Sequence, residues 1–249
     1  VIALQAGTPQ GSVLSPTLFN IYVNDIPLRQ SATCDAGQFA DDISAWASAK
    51  KKQTAMARLQ ISLRALEPWL MKWRIKINVK KTQLICFNQR GKDATISFLG
   101  ETITEGQTLT LLGATFDRAL TYRDHCTGVA KKAMNRVNLL RRLRGRNWGV
   151  RCRRLLNFYK QFVRPVMEDG YSLSAMAKPT VFKSIQVVQN TALRVSLQAP
   201  WRTKTTTLHL QADMPTMQQR IRELRTNAAN RYQGSQLMQT LDIRSSLLD

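Results

Sequence analysis

Two adjacent carboxylates, Asp41 and Asp42, follow Phe39 and Ala40 in the stretch GQFADDISAWAS. Neighbouring carboxylates repel unless a cation sits beside them, and Mg²⁺ takes a few carboxylates together with substrate phosphates. Two such ions can clamp the attacking and leaving oxygens of a phosphoryl transfer. The competing assignment is a solvated hairpin tip, since acidic residues are common at turns. The tetrapeptide alone does not separate the two. Other chemistry is sparse. Cys34, Cys86, Cys126 and Cys152 form no CxxC pair, and with only His125 and His209 no zinc site has its ligand spacing. Free thiols point to a reducing, intracellular compartment.

The elements around the acidic pair mix two periods. Upstream, TPQGSVLSPTLFNIYVNDI places Leu14, Leu18, Ile21 and Tyr22 at helical spacing, with Ser12 or Ser15 as cap and Pro16 in the first turn. The acidic segment itself reads as strand–turn–strand. An amphipathic helix follows, with Met56, Leu59, Leu63 and Leu66 on one face, and Pro68 is expected to kink or end it. Ile75, Ile77 and Val79 alternate with polar residues as in a half-buried strand. TQLICF, TISFL and TLTLLG supply further short strands, so the first half is α+β. After about Asp117 the sequence turns helical. VRCRRLLNFYKQFV is expected to run up to Pro165, and a later helix from Pro179 to end before Pro200. No internal repeat is expected. No segment approaches the roughly 18 apolar residues of a membrane span, and no signal peptide is visible. Val1 and the residues after it read like mid-domain text, which predicts a fragment of a longer chain.

Charge names the partner class. The 249 residues carry 37 Lys and Arg against 16 Asp and Glu, a net charge of +21. Such an excess repels itself in a folded protein and serves to meet polyanions, with nucleic acid ahead of an anionic membrane surface. Between Lys131 and Arg154 there is no acidic residue. The block holds Lys131, Lys132, Arg136, Arg141, Arg142, Arg144 and Arg146 among others, interleaved with Val137, Leu140 and Leu143. Phosphate contact on one face and packing on the other accounts for that pattern.

Several motifs in one order extend the reading. AGTPQGSVLSPTLFNIYVNDIP, FADD, WLMKWRIKINVKKT and LLGATFDRALTYRDH together resemble the reverse transcriptases of non-LTR (LINE-type, Jockey- or CR1-like) retrotransposons, and the resemblance continues into QNTALR. It implies a partial right-hand polymerase palm over residues 1–117, a basic helical thumb over 118–175 and a helical connector over 176–249. It further implies RNA-directed DNA polymerisation: deoxynucleoside triphosphates added to a primer 3′-OH on an RNA template with two Mg²⁺ ions. The implied setting is intracellular, nuclear or cytoplasmic, as a ribonucleoprotein, with no membrane and no zinc site.

Residue by residue, the resemblance gives Asp41 and Asp42 as catalytic metal ligands. Gln10 and Gly11 take the place where template and nucleotide approach the backbone, although Gly11 serves equally as a helix-entry turn. Lys81, after Asn78, matches a motif lysine near the triphosphate or the palm core, although it serves equally as a solvated strand-end lysine, with Lys76 and Lys80 as competitors. Leu112 and Gly113 stand at the primer-proximal turn. His125, Trp69, Trp73, Tyr159 and Trp148 are expected to pack rather than react. One departure matters: such palms carry a further catalytic aspartate upstream of the PQG element, and none of the nine residues before Gln10 is acidic. The chain alone is therefore expected to be an incomplete catalyst. A non-catalytic nucleic-acid-binding remnant and a group II intron maturase-like enzyme are the alternatives.

Overall fold

A computed structural model of the chain describes residues 7, 9, 11–27, 34–87, 91–144 and 149–232. It is α+β, with short antiparallel strand pairs and helices, and divides into two compact units, Val1–Gln107 and Thr108–Asp249. The division falls before the expected boundary at Asp117.

In the first unit, α1 (Ser15–Tyr22) precedes a hairpin of β1 (Asp35–Phe39) and β2 (Asp42–Trp46). Pro16 sits in the first turn of α1 as expected, but neither serine side chain caps it. The cap position is Leu14, and the Ser15 hydroxyl donates instead to the Pro9 carbonyl at 2.7 Å. The long helix α2 (Lys52–Trp73) then runs unbroken through Pro68, contrary to expectation. A helical proline loses one hydrogen bond and strains the preceding turn, for about 3 kcal/mol. Here Leu66, Trp69 and Leu70 on either side are buried in the unit's core, and that burial outweighs the loss. Arg74 ends the helix in the left-handed region (φ 53°). Its N–H bonds Met71 O and the Ile75 N–H bonds Leu70 O, a Schellman closure built without glycine.

Beyond it, Ile75, Ile77 and Val79 do turn inward against the core in alternation, but no strand forms. The segment finds no ladder partner and closes into a 3₁₀ turn, Val79–Lys81. TQLICF likewise contributes only one bridge, Leu84 to Glu105. The second hairpin, β3 (Thr95–Phe98) and β4 (Glu101–Thr104), is fastened to α2 by side chains. Gln60 brackets Ser97 through both backbone groups (2.7 and 2.9 Å), and Glu67 accepts the Leu99 N–H at 2.8 Å.

A third hairpin, β5 (Thr108–Leu111) and β6 (Ala114–Asp117), opens the second unit. It overturns the expectation of no internal repeat. TISFLGETIT (95–104) and TLTLLGATFD (108–117) align residue for residue, share a register and turn on Leu-Gly. Conservative changes such as Ile96 to Leu109 and Ile103 to Phe116 hide the repeat from direct inspection.

The remaining helices share one core. They are α3 (Arg123–Leu143), α4 (Cys152–Phe158), α5 (Arg164–Glu168), α6 (Tyr171–Met176), α7 (Pro179–Leu197), α8 (Thr205–Ala212) and α9 (Met217–Tyr232). Cys126, Val129, Ala133, Val137 and Leu140 form a helical stripe on α3 that packs chiefly against α7. The α4 segment does not stop at Pro165. A π turn, Tyr159–Val163, carries the chain into α5 with Pro165 in that helix's first turn, where a missing N–H does least harm. The α7 helix keeps its expected bounds, from Pro179 to just before Pro200. Among the described residues, no helix is long and apolar enough to cross a membrane.

Candidate active site and basic face

Asp41 and Asp42 stand at the tip of the first hairpin. Phe39 pairs with Asp42, so the connection is the two residues Ala40 and Asp41, with Ala40 held at φ 51°. Strand alternation sorts the faces. Ala36, Ile43 and Ala45 pack toward the core, whereas Phe39, Gly37, Ser44 and Trp46 share the outer face with Asp42. Both aspartates are exposed, as are Phe39 (65 %) and Trp46 (50 %). Gly37 leaves that face low: a Cβ there would meet the Trp46 ring at 3.4 Å. The Gln38 amide donates to the Ala40 carbonyl at 3.0 Å and ties down the turn. The tip thus presents two solvent-facing carboxylates beside an aromatic ring on a short, pinned turn. Their hard oxygen donors suit a divalent cation such as Mg²⁺. Among the described residues there is no cluster of three or more His, Cys, Asp or Glu that would complete a cage.

Gly11 lies in the turn before α1 with φ +88°, a conformation that suits glycine, and nothing would crowd a Cβ there. Both readings of this residue, helix entry and open backbone, fit that geometry. Gln10 lies outside the described residues. The far end of α1 is anchored: the Tyr22 hydroxyl donates to the Trp73 carbonyl, with the two rings edge to face at 5.1 Å. Trp69 is buried and its indole N–H donates to Asp25 at 3.1 Å. Both tryptophans pack, as expected. Lys81 ends the 3₁₀ turn, exposed, and the Thr82 hydroxyl closes that turn onto the Asn78 carbonyl at 3.2 Å.

In the second unit, Leu112 and Gly113 form the β5–β6 turn, with φ 48° and 80°. Positive φ at both central residues is the type I′ geometry, which favours Asn-Gly and strains a leucine. Leu112 nevertheless stays exposed (56 %). At the base of this hairpin Asp117, unremarked in the sequence, organises the entry to α3. Its carboxylate accepts the Thr121 N–H (2.9 Å), the Thr121 hydroxyl (3.0 Å) and the Tyr122 N–H (2.7 Å). Burial works against the charge, but these bonds prevail and hold its pKa below the ordinary carboxylate value. An aspartate four residues before a Thr-Tyr helix entry was the available signal. His125 is buried on α3, with the Thr115 N–H 3.5 Å from its Nδ1, and packs as expected.

The basic residues separate by task. Lys131 and Arg142 lie with Asn135 and Asn138 on the exposed face of α3, opposite its buried stripe, and Lys132, Arg141 and Arg144 are also exposed. Arg136 is turned inward. Its guanidinium donates to the Phe162 carbonyl at 2.6 Å and lies 4.6 Å from the centroid of the Phe162 ring, securing the π turn. Arg146 and Trp148 lie outside the described residues. Tyr159 is fully buried, a core role as expected.

Comparison with known proteins agrees with the motif order. The family model described as Reverse transcriptase (RNA-dependent DNA polymerase) matches residues 1–103. The chain is 29% identical over 227 residues to a Drosophila melanogaster protein named Probable RNA-directed DNA polymerase from transposon BS, covering 88% of the chain and 25% of that protein. It is 29% identical over 234 residues to the Drosophila funebris RNA-directed DNA polymerase from mobile element jockey, covering 89% and 25%. A Nasonia vitripennis Pol polyprotein from the type-1 retrotransposable element R1 is 24% identical over 208 residues, covering 77% and 60%. The chain thus spans about a quarter of the length of the first two relatives. No solved structure matches. By sequence, the chain is similar to RNA-directed DNA polymerases of transposons and mobile elements, and the family match lies over the unit that carries Asp41 and Asp42.

Proposed function

We propose that this chain supplies the catalytic hairpin and the duplex-holding helices of an RNA-directed DNA polymerase. The observation that carries the reading is the two-residue turn of the first hairpin, which exposes Asp41 and Asp42 together inside the segment of the family match. Asp41 is the principal ligand for two Mg²⁺ ions and Asp42 its helper. When bound, such ions activate the primer 3′-OH and stabilise the charge on the triphosphate. Gly11 lets template and nucleotide approach the backbone, and Lys81 faces the triphosphate. The Leu112–Gly113 turn meets the primer end through its backbone. Lys131, Lys132, Arg141, Arg142 and Arg144 neutralise phosphates of the template–primer duplex without reading its bases. Residues 1–117 act as palm, 118–175 as thumb and 176–249 as connector, working inside the cell as a ribonucleoprotein.

The test is Asp41→Asn in a protein that contains this chain with the residues preceding it in its reading frame. Primer extension on an RNA template should fall by roughly 10²–10³ or more, with RNA–DNA duplex affinity unchanged. Extension near the wild-type rate sinks the assignment. Duplex binding by the unsubstituted protein with no extension supports the non-catalytic binding protein instead.

A further inference from the structure

The segment QNTALR, Gln189–Arg194 of α7, has no task in the proposed polymerisation, yet its side chains build a frame. The Gln189 amide donates to the Pro215 carbonyl (2.9 Å) and its oxygen accepts the Met217 N–H (2.9 Å). Asn190 Oδ1 accepts from Gln186 (3.0 Å) and faces His209 Nε2 at 3.0 Å, while His209 Nδ1 faces the Met214 carbonyl at 3.1 Å. Arg194 donates to the Thr203 carbonyl at 3.3 Å and so fixes the turn between α7 and α8. These bonds clamp α8 and its flanking turns to α7 and leave a cleft of about 540 Å³ walled in part by Asn190, Thr206, Leu210 and Met214.

The turn that leads into α8 is apolar and cationic at once, and Leu210 on α8 adds an apolar side chain at the cleft. Trp201 (78 %) and Leu210 (82 %) are the most exposed large apolar side chains among the unit's described residues. Trp201 is held out on the fixed turn, with the Arg202 guanidinium 5.1 Å from its ring centroid and exposed Lys204 three residues on. With so much of the ring exposed, a face remains open for stacking. In a chain of net charge +21 the fitting ligand is a polyanion with flat, uncharged parts. Asp213 on the cleft wall repels phosphate, so phosphates belong at the turn and a base in the cleft. A duplex keeps its bases stacked on one another and cannot supply one; a single strand can.

We propose that the α7–α8 turn and its cleft bind single-stranded polynucleotide. Trp201 stacks on one base, Arg202 and Lys204 hold the adjoining phosphates, and a further base of the same strand enters against Leu210 and Met214. The site is separate from the polymerase reading, because it needs neither metal nor nucleotide. The test is fluorescence anisotropy with the full chain on three labelled probes of one sequence: single-stranded RNA, single-stranded DNA and the RNA–DNA duplex. Trp201→Ala should weaken single-strand binding roughly tenfold, while Trp201→Phe keeps most of it. Duplex affinity and melting temperature should stay as in the unsubstituted chain. The double substitution Arg202→Ala, Lys204→Ala should reduce the single-strand salt slope by about 1.4. The stronger of the two single-strand arms assigns the source of the strand. Single-strand affinity unchanged by Trp201→Ala, an equal loss in Trp201→Phe, or an equal loss on the duplex each overturns the proposal.

Discussion

The imidazole of His125 lies so close to Gly170 that a Cβ at that position would come within 2.7 Å of both Cε1 and Nε2 of the ring. Gly170 also has φ +62° at the start of α6, and His125 is buried on α3, so the ring cannot swing into solvent. Gly170→Ala is therefore penalised twice, by left-handed strain and by overpacking, for roughly 2–4 kcal/mol together. Urea denaturation measures the loss. Adding His125→Ala to Gly170→Ala should recover part of it, giving a coupling energy that two independent sites would lack.

The same contact has a pH signature. Burial lowers the pKa of His125 below the ordinary 6.5, and proximity to Lys132 acts in the same direction. The Gly170 backbone and Asp169 oppose them without prevailing. The unfolded chain then binds a proton that the folded chain refuses. Stability is full above about pH 6.5 and falls as pH drops from there toward the folded-state value. Melting temperature followed from pH 7.5 to 5.5 should decline, and His125→Phe should flatten that decline. Asp117, whose carboxyl is held below its ordinary 3.8, loses its contribution only in a lower window, as pH falls through that range, so the two groups separate on one titration.

Glu105 is wholly buried and faces Lys52 Nζ at 2.5 Å, while its Oε2 also accepts the Ala94 N–H at 2.9 Å. The pair fastens the start of α2 to the end of the second hairpin. Lys52→Met takes the Lys52 cation from a buried carboxylate, which costs about 3–5 kcal/mol. Lys52→Met with Glu105→Leu should cost much less, because no charge remains buried. Comparing the denaturation midpoints of the single and double variants checks both expectations.

Much of this architecture could be read from residue pattern, and the exceptions have physical causes. The acidic hairpin was legible because a two-residue turn between alternating strands leaves a local signature. The apolar face of α2 and the span of α7 between Pro179 and Pro200 were legible for the same local reason. Pro68 does not end α2, because Trp69 and Leu70 gain more by burial than the backbone loses at the proline. Residues 75–79 show the opposite limit: alternation specifies which residues turn inward, but a strand also needs a partner. The tasks of Arg136, Gln189 and Asn190 depend on groups far along the chain, the Phe162 carbonyl, the Pro215 carbonyl and His209, which composition does not connect.

The repeated Leu-Gly turns offer an internal control for strain. Leu99 (φ 50°) and Leu112 (φ 48°) occupy the same left-handed position in their hairpins. Leu99 is partly buried against its unit's core, while Leu112 is exposed. Replacement by glycine relieves about 1 kcal/mol of backbone strain at either site. At Leu112 little packing is lost, so Leu112→Gly should raise the melting temperature. At Leu99 lost packing offsets the relief, and Leu99→Gly should be neutral or destabilising. Calorimetry on the two variants separates these outcomes. Because the proposed primer contact runs through the backbone of this turn, the stabilised glycine variant should extend primers at an unchanged rate within a polymerase that contains the chain.

The last prediction sets two arginines of α3 against each other. Arg136 is committed to the carbonyl and ring of Phe162, whereas Arg142 is exposed on the polar face with Lys131. Arg136→Ala should leave the Phe162 carbonyl without its donor and lower stability by roughly 1–3 kcal/mol, with little change in the salt dependence of duplex binding. Lys131→Ala and Arg142→Ala should do the reverse. Each removes one phosphate contact, weakens RNA–DNA affinity, and reduces the slope of log affinity against log salt by about 0.9, at nearly constant melting temperature. A slope unaffected by either surface substitution would place the duplex on another face of the helical unit. A slope that fell with Arg136→Ala at unchanged stability would mean that its guanidinium leaves Phe162 when nucleic acid binds.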